Sequence, residues 1–200
     1  MWSLEDYRRV FFALGIIGVF LFSIPSALLV IRWPSGEQFS QLYVLGLGHM
    51  AQGYPFNVRA DENYSVYLGV EANLGSVAYY EVVLKLRNSS EALPNDTSGI
   101  PSSLPALYRY EVFLTDGQTW ETALNFSFSN VSFTDNISSA GKMNLNGASI
   151  QVDKTAAWDS VNNRYYYQLI AELWLYDPGT GSFSFNDRFV ALWFNMTSTA

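Results

Sequence analysis

The chain is 200 residues long, has no cysteine and carries a formal net charge of −7. Without cysteine it cannot be a disulfide-stapled scaffold. From residue 34 onward eight cations face sixteen carboxylates, a balance that excludes nucleic acid and anionic lipid headgroups as partners.

The first predicted element is a membrane anchor. No charged residue stands between Arg9 and Arg32, and fifteen residues of the run Val10–Ile31 are Leu, Ile, Val or Phe. As a helix, these 22 residues extend about 33 Å, enough for a hydrocarbon core of about 30 Å. Trp2, Tyr7 and Trp33 bracket the run as interfacial aromatics do. A cleaved signal peptide fits less well: the one small-x-small site, near Ser26-Ala27, is followed by Leu28-Leu29-Val30-Ile31. The expected organisation is a cytoplasmic N-terminus over 1–9, a transmembrane helix over 10–31, a linker over 32–38 and one outer domain over 39–200.

Orientation follows from Asn-x-Ser/Thr sequons, which are readable only where a glycosylation machinery reaches them. Seven follow the apolar run, at Asn63, Asn88, Asn95, Asn125, Asn130, Asn136 and Asn195. They use half of the fourteen asparagines beyond residue 34, against roughly two or three expected by chance. The N-terminus is therefore expected inside and the C-terminal domain outside. Few charges, many Ser, Thr, Asn and Tyr and dense sequons associate with archaeal cell-envelope proteins.

Beyond residue 39 the pattern has period two, and no amphipathic helical pattern competes with it. In Asn63–Leu74 the even positions Tyr64, Val66, Leu68, Val70, Ala72 and Leu74 are apolar. In Ala78–Leu86, Tyr80, Val82, Leu84 and Leu86 point inward while Glu81, Lys85 and Arg87 point outward. The short Asn73–Ser76 turn predicts that these two strands form a hairpin. Ser89–Leu107, with Pro94, Pro101 and Pro105, reads as a long surface loop. Strands resume at Tyr108–Leu114 and Thr119–Phe128. Asn125 and Asn130 have opposite parity, so both face solvent only if the strand breaks near Ser129. Lys142–Val152, Tyr165–Tyr176, Phe183–Phe185 and Arg188–Met196 complete about eight strands. The expected fold is all-β: an antiparallel Ig-like sandwich behind a single transmembrane helix, with a closed barrel as the alternative.

Catalytic constellations are missing. His49 is the single histidine and no Gly-x-Ser-x-Gly elbow occurs, so a Ser-His-Asp triad has no frame. One histidine and no cysteine cannot build a zinc or copper site. Asp153, Asp159 and Asp177 near turns are the calcium candidates, without Asp-x-Asp loop spacing. Neither a cofactor nor a metal is expected. The remaining signal is aromatic: alternation turns Tyr67 and Tyr79 outward on the first strands and Tyr166, Trp174 and Tyr176 onto one face of the long strand, a candidate binding face.

Gln38-Phe39-Ser40-Gln41-Leu42-Tyr43-Val44-Leu45-Gly46, Tyr54-Pro55-Phe56-Asn57-Val58, the strand ending Leu84-Lys85-Leu86 and the closing Glu172–Gly181 with Leu192-Trp193 carry a further pattern. Together they resemble the archaeal membrane proteins grouped as DUF1616, whose function is unknown. The resemblance implies an extracytoplasmic β-sandwich and brings no catalytic residues. Its members often have several membrane helices, whereas this sequence has one apolar run. The expected role is a non-enzymatic, single-pass envelope glycoprotein whose sandwich contacts other envelope or membrane proteins or its own copies. The bare surface is expected to be the interface, with Phe39–Val44 and the His49 loop as candidates. A carbohydrate-binding or adhesion module is the alternative, and an envelope hydrolase using acids or His49 a third.

Overall fold

The computed structural model describes residues 4–30 and 37–198, in two compact units, Met1–Gln38 and Phe39–Ala200. The first unit is a single helix, α1 (Leu4–Val30), with Glu5, Arg8 and Arg9 in its first turns. Among the described residues no helix is long and apolar enough to cross a membrane. The expected span 10–31 and linker 32–38 fall partly outside them: the side chains of Phe22 and of residues 24–30, and all of 31–36, are not among the described residues. The fold therefore gives a helix here, and a transmembrane role is not part of what it shows.

Among the described residues the second unit has ten strands rather than about eight. They are β1 (Phe39–Leu45), β2 (Asn57–Arg59), β3 (Tyr64–Asn73), β4 (Ala78–Asn88), β5 (Tyr108–Leu114), β6 (Gln118–Thr134), β7 (Ile137–Leu145), β8 (Ala148–Asp159), β9 (Arg164–Asp177) and β10 (Ser182–Thr197). They form a curled sheet folded into two layers. One has the order β1-β3-β6-β7-β8 and the other β5-β4-β9-β10-β2. The layers join where Trp158 and Asp159 of β8 pair with Tyr165 and Arg164 of β9. All pairs are antiparallel except β10 with β2, which is parallel over Asn57–Arg59. The first layer departs from an Ig-like sandwich: the strand beside β3 is β6, which opens a β6-β7-β8 meander, where Ig connectivity would place a later strand.

The core lies between the layers, built from the inward parity of each strand. Val66, Leu68, Val70 and Ala72 of β3 and Leu124, Phe126 and Phe128 of β6 face Tyr80, Val82, Leu84 and Leu86 of β4 and Tyr167, Leu169, Ala171 and Leu173 of β9. Polar ties cross the same gap. Ser40 Oγ lies 2.7 Å from Tyr80 OH, and Tyr167 OH donates to the Ser138 carbonyl at 2.9 Å.

Two expectations are corrected. The predicted hairpin does not form, because β3 and β4 lie in different layers. The turn between them and the turn between β5 and β6 are both layer crossings, and they brace each other. Gly75 N–H donates to the Asp116 carboxylate at 2.7 Å, and Gly117 N–H donates to the Ala72 carbonyl at 2.7 Å. Second, Glu81, Lys85 and Arg87 point away from the core as expected but are buried, at 8%, 5% and 5% exposure. The 89–107 loop lies over Lys85 and Arg87, and Arg109 of β5 pairs with Glu81.

The break expected near Ser129 appears at Asn130, in the left-handed region at φ 54°. Up to Phe128 the even residues of β6 are inward, and beyond it Val131 and Phe133 pack on the core. Asn125 and Asn130 are both exposed as a result. The irregularity continues across the layer. A Cβ on Gly141 of β7 would stand 3.0 Å from Asn130 Cβ, and the β7–β8 register shifts beside Asp153, at φ 42°. These three positions form a crease, the device by which bulged strands bend and twist a sheet.

Candidate functional site on the outer face of the second layer

The outer face of the second layer carries two adjoining features, an aromatic platform and a strapped cleft. The platform forms where the start of β4, the end of β5, the end of β9 and the start of β10 meet. Tyr79 stacks on Phe113 at 3.9 Å and 4°, Phe183 lies edge-on to Tyr79 at 4.9 Å, and Tyr176 lies 5.6 Å from Tyr79 and 5.4 Å from Phe183. Phe113 is 67% exposed. Tyr79, Tyr176 and Phe183 are half-buried around it, so the cluster is partly open to solvent. The platform is rimmed by carboxylates. Tyr79 OH donates to Glu111, a bond that raises the tyrosine pKa, and Asp116 and Asp177 are exposed on the neighbouring turns.

The cleft begins at Phe183 and encloses about 400 Å³ between the sheet and residues 101–106. Trp174 and Phe183 form apolar walls, and Glu81 and Arg109, paired at 2.5 Å, form a charged one. Its roof is held by a buried ion pair. Lys85 Nζ lies 2.8 Å from Glu172 Oε2 and donates to the Ser102 carbonyl at 2.6 Å, while Ser102 N–H donates to Glu172 Oε1 at 2.7 Å. Trp174 Nε1 donates to the same carboxylate at 3.2 Å. Arg87 ties the loop's beginning, donating to Gln168 Oε1 at 2.5 Å and to the carbonyls of Ser89 and Glu91. Burial lowers its pKa, and its Nε has no partner among the described residues.

Three of the five aromatic candidates, Tyr79, Trp174 and Tyr176, meet on this face. The other two do not join them. Tyr67 lies in the opposite layer, stacked under His49 at 3.9 Å. Tyr166 stands at the far end of β9, 5.5 Å from Trp193, and accepts from Arg164 at 3.1 Å. Sequence reading missed Phe113, Phe183, Glu81 and Arg109. Phe113 was legible by parity, since it stands between the inward Val112 and Leu114.

His49 lies in a loop at φ 53° with Nδ1 2.6 Å from Glu121 Oε1. Tyr43 OH donates to the other Glu121 oxygen at 3.4 Å, and burial, then that carboxylate, raises the Tyr43 pKa. The His49 loop is thus pinned onto the first layer. Among the described residues no three His, Cys, Asp or Glu side chains gather as a metal site. The calcium candidates spend their carboxylates locally: Asp153 on Gln151, Asp159 on Val161 and Asn162, and Asp177 on Gly179.

Residues 34–136 match the sequence profile described as a domain of unknown function, DUF1616. The chain belongs to the DUF1616 family. No curated protein matches this DUF1616 chain. Among solved structures, a β-glucosidase from Listeria innocua in complex with glucose matches at a TM-score of 0.40 and 6% identity, over 80% of this chain and 16% of the other. The DUF1616 chain thus spans about a sixth of that enzyme's length. The CARDB domain of a Pyrococcus furiosus protein, in complex with di-metal ions, matches at 0.42 and 8% identity, over 84% and 95%. A chain of the complex of zinc 2-glycoprotein with prolactin-inducible protein from human seminal plasma matches at 0.39 and 10%, over 82% and 100%. At these TM-scores the likenesses carry no argument about what the DUF1616 domain binds.

Proposed function

We propose that this protein is a single-pass, N-glycosylated protein of an archaeal cell envelope whose outer β-sandwich makes protein–protein contacts. In this reading α1 is the anchor, with the N-terminus inside and the sandwich outside. The uncharged run Val10–Ile31 and the seven sequons support that arrangement. The observation that carries the contact role is the stacked aromatic platform of Tyr79, Phe113, Tyr176 and Phe183, with Phe113 exposed, the other three rings half-buried, and the exposed carboxylates Glu111, Asp116 and Asp177 on the same strands and turns. Its complement is a partner protein presenting apolar side chains inside a rim of Lys and Arg, whose cations also favour aromatic faces.

Mild-detergent purification from native membranes, followed by mass spectrometry, tests the role. The protein is expected in the membrane fraction with a stoichiometric partner, and Tyr79→Ala with Phe113→Ala should reduce partner recovery at least tenfold, as loss of aromatic anchors does. Unchanged recovery sinks the platform as the interface. The walls of the cleft, Trp174 and Phe183 beside the Glu81–Arg109 pair, favour one second reading, a saccharide site. Retention on immobilised glycans that Trp174→Ala abolishes would favour that reading over a protein partner.

A further inference from the structure

The seven sequons read alike in sequence, but the fold separates them into two kinds. Asn63, Asn95, Asn125, Asn130 and Asn136 are exposed, and their amide nitrogens donate to no protein group among the described residues. Four of them follow β6: Asn125 lies within it, Asn130 on the crease and Asn136 at its turn into β7. Asn63 stands just before Tyr64, the partner of Phe126. Asn95 is in the 89–107 loop.

Asn88 and Asn195 are half-buried, and their nitrogens point into protein. Asn88 Nδ2 donates to the Thr155 carbonyl of β8 at 2.9 Å, while its Oδ1 accepts from Ser90 N–H at 2.9 Å, Ser90 Oγ at 2.7 Å and Glu91 N–H at 3.1 Å. Asn195 Nδ2 donates to Asn57 Oδ1 at 2.9 Å, and its Oδ1 accepts from Tyr165 N–H at 3.0 Å. Its backbone N–H also donates to the Phe56 carbonyl at 2.7 Å, so this asparagine knits β9, β10 and the entry to β2 together. Each nitrogen is thus committed to a neighbouring segment, and a sugar that replaced one of its two hydrogens would compete with that tie.

We infer that N-linked glycans on the folded protein are confined to Asn63, Asn95, Asn125, Asn130 and Asn136, and that Asn88 and Asn195 are structural. The inference rests on the extracytoplasmic reading above. In the transfer, the asparagine nitrogen attacks the anomeric carbon of a saccharide linked to a lipid phosphate. The C–N bond forms, the C–O bond to phosphate breaks, the lipid phosphate leaves with the electron pair, and the amide gives up one proton. In the folded chain the Asn88 and Asn195 side chains are held by their own partners and are not presented for this transfer. Four of these glycans then stand on or beside β6 in the first layer, the fifth stands on the 89–107 loop, and none stands on β4, β5, β9 or β10, which carry the aromatic platform.

Glycopeptide mass spectrometry on the full chain, purified folded from native membranes, tests this. Ser90→Ala and Thr197→Val each remove one sequon while keeping its asparagine. The expected result is glycan only within the five, with the glycan mass unchanged in both variants. Glycan on Asn88 or Asn195 of the folded chain, or loss of one glycan in either variant, overturns the inference alone. A chain with no glycan at any of the seven overturns the extracytoplasmic reading itself.

Discussion

At the scale of single residues, the Lys85–Glu172 pair shows how a charge is kept away from water. Both side chains are almost fully enclosed, and the ammonium is held by Glu172, by the Ser102 carbonyl of the loop above it and by the Trp174 ring, 5.9 Å away. Removing one member of such a pair leaves the other buried and unmatched, typically at a cost of about 3–5 kcal/mol. Lys85→Ala should lose about that much stability in urea unfolding, and Lys85→Met with Glu172→Leu should recover most of it, because the uncompensated charge is gone. Tyr167 gives a second test. Its ring is fully buried, and burial pushes the hydroxyl from its ordinary 10 up to about 12. The folded state thus holds a proton that the unfolded state releases first. The stability tied to this group is intact below pH 10 and is lost as pH rises toward 12. Tyr167→Phe should lose about 1 kcal/mol at neutral pH with its hydrogen bonds, and its unfolding free energy should fall less steeply through that window. Tyr167 was legible as a core residue from its parity in β9. The burial of Lys85 was not, because alternation says which face a residue takes and not whether a distant loop returns to cover it.

At the scale of elements, β1 is an edge strand held by one unusual contact. A Cβ on Gly69 of β3 would fall 2.2 Å from the Tyr43 ring, so the ring lies across the space a side chain would fill. Tyr43 reaches Glu121 from there, and Glu121 in turn holds His49. Gly69→Val should displace the ring and weaken this whole corner by about 1–3 kcal/mol, the usual cost of overpacking. Hydrogen exchange should then quicken in Phe39–Leu45 while β9 keeps its protection. Lys142–Val152, expected as one strand, is split between β7 and β8 by the turn at Asn146-Gly147, whereas the inward sets of β3, β4 and β9 are those that period two picks out. Their pairing was hidden, since Asn73–Ser76 looks the same whether it closes a hairpin or crosses between layers. The decisive contact, from Gly75 to Asp116, joins two turns far apart in the chain. β2 escaped notice because three residues are too few to show a period.

At the scale of the whole molecule, the two outer faces have different characters. On the first layer the His49 loop is folded down over β3 and β6, and exposed sequon asparagines follow β6. On the second, the proline-bearing 89–107 loop roofs a charged cleft beside a partly open aromatic platform. The surfaces expected to be the contact region also stay open: Phe39, Leu47, Met50 and Tyr54 are exposed, although His49 itself is held by Glu121 and Tyr67. Composition announced neither asymmetry, since both depend on where two long loops come to rest.

The crease through Asn130, Gly141 and Asp153 also bears on solubility. A flat meander would end at β8 with a full row of unmatched amides, the kind of border along which sheets of separate molecules join. Because the layer bends there, the far end of β8 swings onto β9 and part of that border is closed from within. Three residues in or beside uncommon backbone conformations thus guard the domain against polymerising through its own hydrogen bonds.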